Sequence, residues 1–214
     1  MKELRDLTEL LVNFYKTEEI VKKNSDRFVP IGVSNRHIHL AKEDLEALFG
    51  KGHELTNIKD LSQPGQFAAK EMVTIVGPKG LIEKVRVLGP CRKETQVEIF
   101  MGDCFKLGVK PELRMSSDLE GTPGLTLIGP CGCVHIYKGV IVAKRHLHVN
   151  LDQARDLDLK DGQVISLKFE GPRGGILDNV IVRADEKAYL DCHIDTEEAN
   201  AFGIKNGQKA KIIY

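Results

Sequence analysis

Two short segments concentrate side chains that bind metals, Arg36-His37-Ile38-His39 and Arg145-His146-Leu147-His148. On an extended strand residues i and i+2 share a face, so His37 and His39 can grip one ion, and so can His146 and His148. Imidazole nitrogens bind zinc at about 2.0 to 2.1 Å, and a tetrahedral site adds further histidines or carboxylates and, when catalytic, an open position. One His-x-His recurs by chance and in unrelated folds. Four of the 7 histidines sit in two matching motifs, each led by an arginine in an apolar run, and this makes the case for a two-zinc enzyme. The competing reading is a pair of solvated strand faces kept by duplication.

The duplication extends beyond the histidines. Ile31 to Leu40 matches Val140 to Val149 at an offset of 109, Gly77-Pro78-Lys79-Gly80 resembles Gly171-Pro172-Arg173-Gly174, and Leu107-Gly108-Val109 matches Phe202-Gly203-Ile204 at an offset of 95. At that second offset Glu98 falls opposite His193. Each half then supplies one His-x-His pair and one further ligand candidate, although Glu98 taken alone reads equally well as a surface carboxylate. Two related small barrels sharing a site at their junction is the expected arrangement. Arg92, in the turn Gly89-Pro90-Cys91-Arg92 that runs toward Glu98, carries a permanently charged planar fork suited to phosphate, against the plainer reading of a solvated turn charge. Arg36 and Arg145 can serve anions or orient the ligands. Cys131-Gly132-Cys133-Val134-His135 alternates three ligand types on one strand face, but with no clear fourth ligand these read better as small buried cysteines than as a structural zinc site.

The elements that must hold these residues are mostly strands. Runs at Met72 to Val76, Lys84 to Leu88, Gln96 to Phe100, Val134 to Tyr137, Val140 to Ala143, Val164 to Phe169, Asn179 to Val182 and Ala210 to Ile213 lie between Gly, Pro and Asp signals. Short helices are expected at Lys42 to Phe49, Leu151 to Leu157 and Thr196 to Ala201. Residues 3 to 23 carry Leu4, Leu7, Leu10, Leu11, Phe14 and Tyr15 at helical spacing, an amphipathic helix. The fold class is therefore mainly β, two related small β-barrels capped by short α-helices, plus an N-terminal amphipathic helix. With 31 basic and 31 acidic residues the chain gives no electrostatic reason to expect nucleic acid or a membrane surface as partner. Its 5 cysteines lack the spacing of a disulfide scaffold, and no run approaches the roughly 20 apolar residues of a membrane span or the form of a secretory signal. A cytoplasmic protein is expected.

Taken together, Val33-Ser34-Asn35-Arg36-His37-Ile38-His39-Leu40, the Gly-Pro-Cys-Arg turn, Met115-Ser116-Ser117-Asp118 and Lys144-Arg145-His146-Leu147-His148 resemble the PduL-type phosphate propanoyltransferases over about residues 28 to 214. Members of that family are phosphotransacylases, exchanging the CoA of an acyl-CoA for phosphate. The resemblance implies two zinc ions per chain between two barrels, His37 and His39 on one ion, Glu98, His146, His148 and His193 on the other, and Arg92 on phosphate. CoA contacts implied are Val33, Ser34 and Asn35, Lys79 and Arg86 for the nucleotide phosphates, Asn200 near a capping helix, and Lys59 and Leu88. The implied chain order is interleaved: residues 28–36 and 144–214 form one barrel, residues 37–143 the other, and residues 1–27 the N-terminal helix. In members that work inside bacterial microcompartments such a helix directs packaging through a shell protein; the other reading is a helix packed on the barrels, and a homo-oligomer stays open.

The expected reaction is direct attack of phosphate on a short-chain acyl-CoA, propanoyl-CoA or acetyl-CoA, giving acyl phosphate and CoA reversibly with no covalent enzyme intermediate. Catalysis then rests on Arg92 and the His37/His39 pair. The alternatives are a metal-dependent hydrolase acting on a thioester or amide, and a metal-binding barrel without catalysis. An amidohydrolase barrel of about 250 residues with eight helices does not fit a chain of 214.

Overall fold

The structure, a computed structural model, describes residues 27–110 and 112–213, so the expected N-terminal helix at 3 to 23 lies outside the described residues. In chain order the strands are β1 (Phe28–Ser34), β2 (His37–His39), β3 (Asn57–Asp60), β4 (Phe67–Val76), β5 (Leu81–Gly89), β6 (Gln96–Glu98), β7 (Leu113–Arg114), β8 (Leu125–Ile128), β9 (Cys133–Ile136), β10 (Val140–Ala143), β11 (His146–Val149), β12 (Val164–Phe169), β13 (Gly175–Ala184), β14 (Asp191–Asp195) and β15 (Lys209–Ile213). The helices are α1 (Lys42–Phe49), α2 (Met101–Leu107), α3 (Leu151–Asp156) and α4 (Thr196–Phe202). The protein is mainly β. Alternating buried and open positions along β4 and β12 show why: a period of two buries one face and leaves the other wet.

Six strands close a barrel in the order β1-β14-β11-β13-β12-β15, so the first described strand lies among the C-terminal ones. The remaining nine form one curled sheet, β7-β10-β6-β2-β5-β4-β8-β9, with β3 on β4. Each unit has its own apolar core, one around Ile38, Ile75, Val87, Leu107 and Leu127, the other around Ile31, Leu147, Leu167, Phe169 and Val182.

The offsets seen in the sequence recur in the strand registers. Pairing of β2 with β6 sets His37 against Glu98 and His39 against Gln96, while β11 with β14 sets His146 against His193 and His148 against Asp191. Likewise β10 aligns Val140 with Val97, as β1 aligns Ile31 with Cys192. Helices α2 and α4 correspond at the offset of 95, and both end on a left-handed glycine, Gly108 at φ 74° and Gly203 at φ 66°.

The two units are not both closed barrels, however, and this corrects the expected pair. In the closed barrel β1 pairs β15; the corresponding contact in the sheet shrinks to bonds such as Val140 N–H to the Pro123 carbonyl at 3.0 Å. There β8 gives its edge to β9, returning through a hairpin, and β10 gives its edge to β7. A strand edge already paired cannot close the ring.

The fall in offset from 109 to 95 marks a 14-residue insertion between α1 and β4, and that insertion holds β3 and the loop through Gln66. Its role becomes visible at the site. Gly77, from the repeated Gly-Pro-Lys-Gly turn, lies against the end of α2 so closely that a Cβ would come 2.2 Å from the Leu107 carbonyl oxygen. Gly77→Ala is expected to destabilise by about 1 to 3 kcal/mol, since backbone must shift to admit the methyl group. A urea midpoint equal to the parent's would show that the hairpin and helix are not locked together.

Candidate metal centre and active site

The sheet and the barrel each bring three ligand-bearing side chains together. One group is His37, His39 and Glu98; the other is His146, His148 and His193; within each, one ligand atom per residue lies within 4.8 Å of the others. Strand pairing explains both groups. The two histidines share a face of β2 or β11, and the third member stands directly opposite the first histidine on the neighbouring strand. His37 Nε2 lies 3.4 Å from the Glu98 carboxylate, and the rings of His146, His148 and His193 meet edge to face at centroid separations of 4.8 to 5.1 Å. Glu98 thus lies beside His37 and His39 in the strand register, while its charge also acts on His146, one of the trio whose ion the resemblance implies it joins. The register across from His37 agrees with the one-extra-ligand-per-half reading of the repeat.

Ring orientation is fixed from behind. His37 Nδ1–H donates to the Asn35 carbonyl at 2.8 Å, and His146 Nδ1–H donates to the Lys144 carbonyl at 2.8 Å, which leaves each Nε2 with its lone pair toward the site. His39 is 3% exposed, and its Nδ1 is buried with no hydrogen-bond partner among the described residues. A buried orphan nitrogen beside two other ligand atoms fits a metal ion.

Electrostatics point the same way. Burial pushes His39 down to about 3, helped by neighbouring His37 and Arg92. Burial also takes His146 to about 4 and His148 to about 3, each aided by adjacent histidines. All three are then neutral ligands at physiological pH. Burial alone would lower His37 and raise Glu98; their mutual attraction outweighs it, so His37 is raised and Glu98 held well below the usual carboxylate range. In the metal-free protein the three depressed histidines refuse protons that the unfolded chain accepts below its ordinary value of 6.5, so stability present above that pH is lost as pH falls toward 4. His37 works in the opposite sense and offsets one of the three. A chelated sample should therefore show a lower urea midpoint at pH 5 than at pH 7; equal midpoints would mean that the histidines titrate freely.

Arg36 and Arg145 turn away from anions. Arg36 is held by Asp103 at 2.8 and 3.0 Å and lies over the Phe100 ring, and the Asp103 carboxylate also accepts the Phe100 N–H at the start of α2. At the offset of 95, Glu198 holds Arg145 and accepts the Asp195 N–H at the start of α4. Each arginine ties its histidine strand to a helix N-terminus. Arg92 behaves differently. Its guanidinium donates to Ser116 Oγ at 2.9 Å, and burial together with the nearby Arg183 charge lowers its pKa against the pull of Glu98. Gln96, 1% exposed, donates to Glu98 at 2.6 Å and to Ser116 at 2.9 Å, and its carbonyl accepts the Ser117 N–H at 2.7 Å.

Both groups open on one cavity of about 720 Å³. The six ligand candidates, Arg92, Val33, Ser34, Asn35, Lys59, Arg86 and Leu88 all line it. Lys79 and Asn200 do not. The Lys79 stem packs against Gly108 at the end of α2, and Asn200 is exposed on α4. Ser62, Gln63, Arg183, Asp191 and Asn206, which sequence reasoning passed over, also line it, as does Gln96's partner Ser116, quoted for the resemblance without a role. Asn206 accepts the Val33 N–H at 2.9 Å. Asp191 sits 3.2 Å from His193 Nε2 and was detectable only as the counterpart of Gln96, two residues before a ligand. Ser62 and Gln63 come from the 14-residue insertion. Gln63 bonds both the carbonyl and the N–H of Tyr189, at 2.9 and 3.2 Å, and so clasps the sheet's loop to the barrel across the cavity.

The cysteine motif needs correcting. Cys131 and Cys133 are exposed, not buried, because β9 is the outer strand of the open sheet. His135 bonds Thr126, and among the described residues these three form no metal-ligating group. No helix among the described residues is long and apolar enough to cross a membrane.

Comparison with known proteins bears on this geometry. Residues 30–205 match the family model described as phosphate propanoyltransferase. Relatives carrying that name include one from Rhodobacter capsulatus, 50% identical over 97% of this chain and 95% of its own length. Another from Thermotoga maritima is 55% identical over 86% of this chain and 88% of its own, and one from Clostridioides difficile is 45% identical over 96% and 98%. The matched span takes in both groups of candidate metal ligands and Arg92, and on that evidence the chain belongs to the phosphate propanoyltransferase family of acyltransferases.

Proposed function

We propose that the protein is a phosphotransacylase that converts propanoyl-CoA or acetyl-CoA and phosphate reversibly to acyl phosphate and CoA at a two-zinc site. The observation that carries this reading is the meeting of two three-ligand groups and the Arg92 guanidinium on one cavity. His37, His39 and Glu98 would hold one ion, and His146, His148 and His193 the other; a bound zinc would supply Lewis acidity toward the thioester carbonyl and stabilise the departing thiolate. Three ligands per ion leave a position free in a tetrahedral shell.

The chain's own residues do the rest. Arg92, braced by Ser116, holds phosphate by charge-assisted hydrogen bonds so that one oxygen faces the acyl carbon. Attack forms the carbon–oxygen bond, the carbon–sulfur bond breaks, and CoA leaves as the thiolate. Val33, Ser34, Asn35, Lys59, Arg86 and Leu88 would line the CoA path inside the cavity, leaving Lys79 and Asn200 only to portions of CoA that run out over the surface. The two units, residues 28–36 with 144–214 and residues 37–143, would act as domains that meet at the site. A microcompartment address, if residues 1–27 carry one, would be lost on deleting residues 1 to 23 without loss of activity.

Thiol release from propanoyl-CoA and acetyl-CoA tests the proposal. Release that requires phosphate is expected; release without phosphate would make the protein a hydrolase, and none would make it a metal-binding module.

A further inference from the structure

Arginines of this cavity differ in what already holds them. Arg36 is held by Asp103, Arg86 donates to the Ala69 and Lys70 carbonyls, and Arg145, which is not part of the cavity lining, is held by Glu198. Among the described residues the Arg92 guanidinium hydrogen-bonds Ser116 alone. Arg183, on β13 of the barrel, lines the same cavity; among the described residues no carboxylate pairs with it and no hydrogen bond engages its guanidinium. Its register neighbour on β11 is His148. At the offset of 95 the corresponding residue of the sheet is Leu88, so the duplication does not require a charge here.

Arg92 and Arg183 line this cavity from the sheet and from the barrel, Arg183 beside His148 in the strand register. Two guanidinium groups, one from each unit, thus face one partly desolvated space. Like charges brought together at reduced dielectric repel, and a surface strand can relieve this simply by carrying a neutral residue. Two such forks at one cavity match a doubly charged tetrahedral anion, whose oxygens can take both at once.

We propose that Arg183 is a second phosphate-binding residue, holding the anion from the barrel side against Arg92 on the sheet side, above the His146, His148 and His193 group. This rests on the phosphotransacylase reading. It gives the two halves of the site separate tasks: phosphate is gripped across the junction, and binding it draws the barrel and the sheet together. The thioester is left to the side of His37, His39 and Glu98, where the Val33 to Asn35 segment enters.

The test is steady-state kinetics of the metal-replete protein with propanoyl-CoA and phosphate, for Arg183→Gln, Arg183→Lys and Arg92→Ala beside the parent, with zinc content measured on each. Arg183→Gln is expected to raise KM for phosphate about tenfold to a hundredfold with KM for propanoyl-CoA within about twofold and zinc retained, and Arg183→Lys to recover part of the loss. Inorganic phosphate should raise the melting temperature of the parent more than that of Arg183→Gln, a readout independent of turnover. An unchanged phosphate KM in Arg183→Gln, with Arg92→Ala impaired, would overturn the role of Arg183 and leave the reaction standing. Loss of zinc, or equal rises in both KM values, would mark Arg183 as a structural support of His148 and would overturn it too. A parent with no phosphate-dependent release would overturn the reaction itself.

Discussion

His146→Ala is expected to lose about a thousandfold or more of phosphate-dependent turnover and to bind one metal ion fewer per chain. His146 is 9% exposed, its Nδ1–H is committed to the Lys144 carbonyl, and its Nε2 faces His148 and His193. Taking it away leaves two ring nitrogens, too few to hold an ion in a protein site against water. The metal-free variant should fold as well as the metal-free parent, because the substitution removes a buried imidazole that burial and its neighbours already keep neutral. Turnover near the parent's, with one ion lost, would show that the histidine trio is no part of the chemistry. Activity and metal both retained would show that His146 is not a ligand.

Arg92→Ala is expected to lower kcat/KM for phosphate roughly a hundredfold with zinc content unchanged. The effect should be this large because the guanidinium is partly buried, where charge counts for more than in water, and because Ser116 and Gln96 hold it in place before phosphate arrives. Holding a weak nucleophile in line can itself be worth about 7 to 11 kcal/mol of barrier, of which one arginine supplies a part. Phosphate kinetics equal to the parent's would remove Arg92 from the site. Isolation of a radiolabelled acyl-enzyme from acyl-CoA in the absence of phosphate would replace direct attack with a two-step route.

Sequence showed the candidate ligands better than their surroundings. His-x-His on a strand is a local pattern, so the pairs announced themselves, and the offset of 95 delivered Glu98 and His193 because duplication copies register as well as residues. Helices α1, α3 and α4 follow from local spacing, whereas α2 begins just past the expected strand Gln96 to Phe100 and was not expected. The match of Leu107-Gly108 with Phe202-Gly203, set beside the helix expected at Thr196 to Ala201, carries its signal. The short strands β3, β7 and β8 have too few residues for a period of two to stand out.

What closed pairing of β8 with β9 did to the second unit was not legible, because a hairpin and a ring closure offer the same strand residues and differ only in which edge is taken. The same holds for Arg183, Ser116 and Gln63. Each is an ordinary polar residue locally, and only the junction of barrel, sheet and inserted loop gives it a shared cavity.

Elemental analysis of the purified protein, with metal expressed per chain, bears most directly on the paired site. Two zinc ions per chain are predicted, falling to one in His146→Ala and to one in His39→Ala. Full phosphate-dependent activity in a protein that holds no metal, or a single ion lost entirely on either substitution, would contradict two separate three-ligand sites.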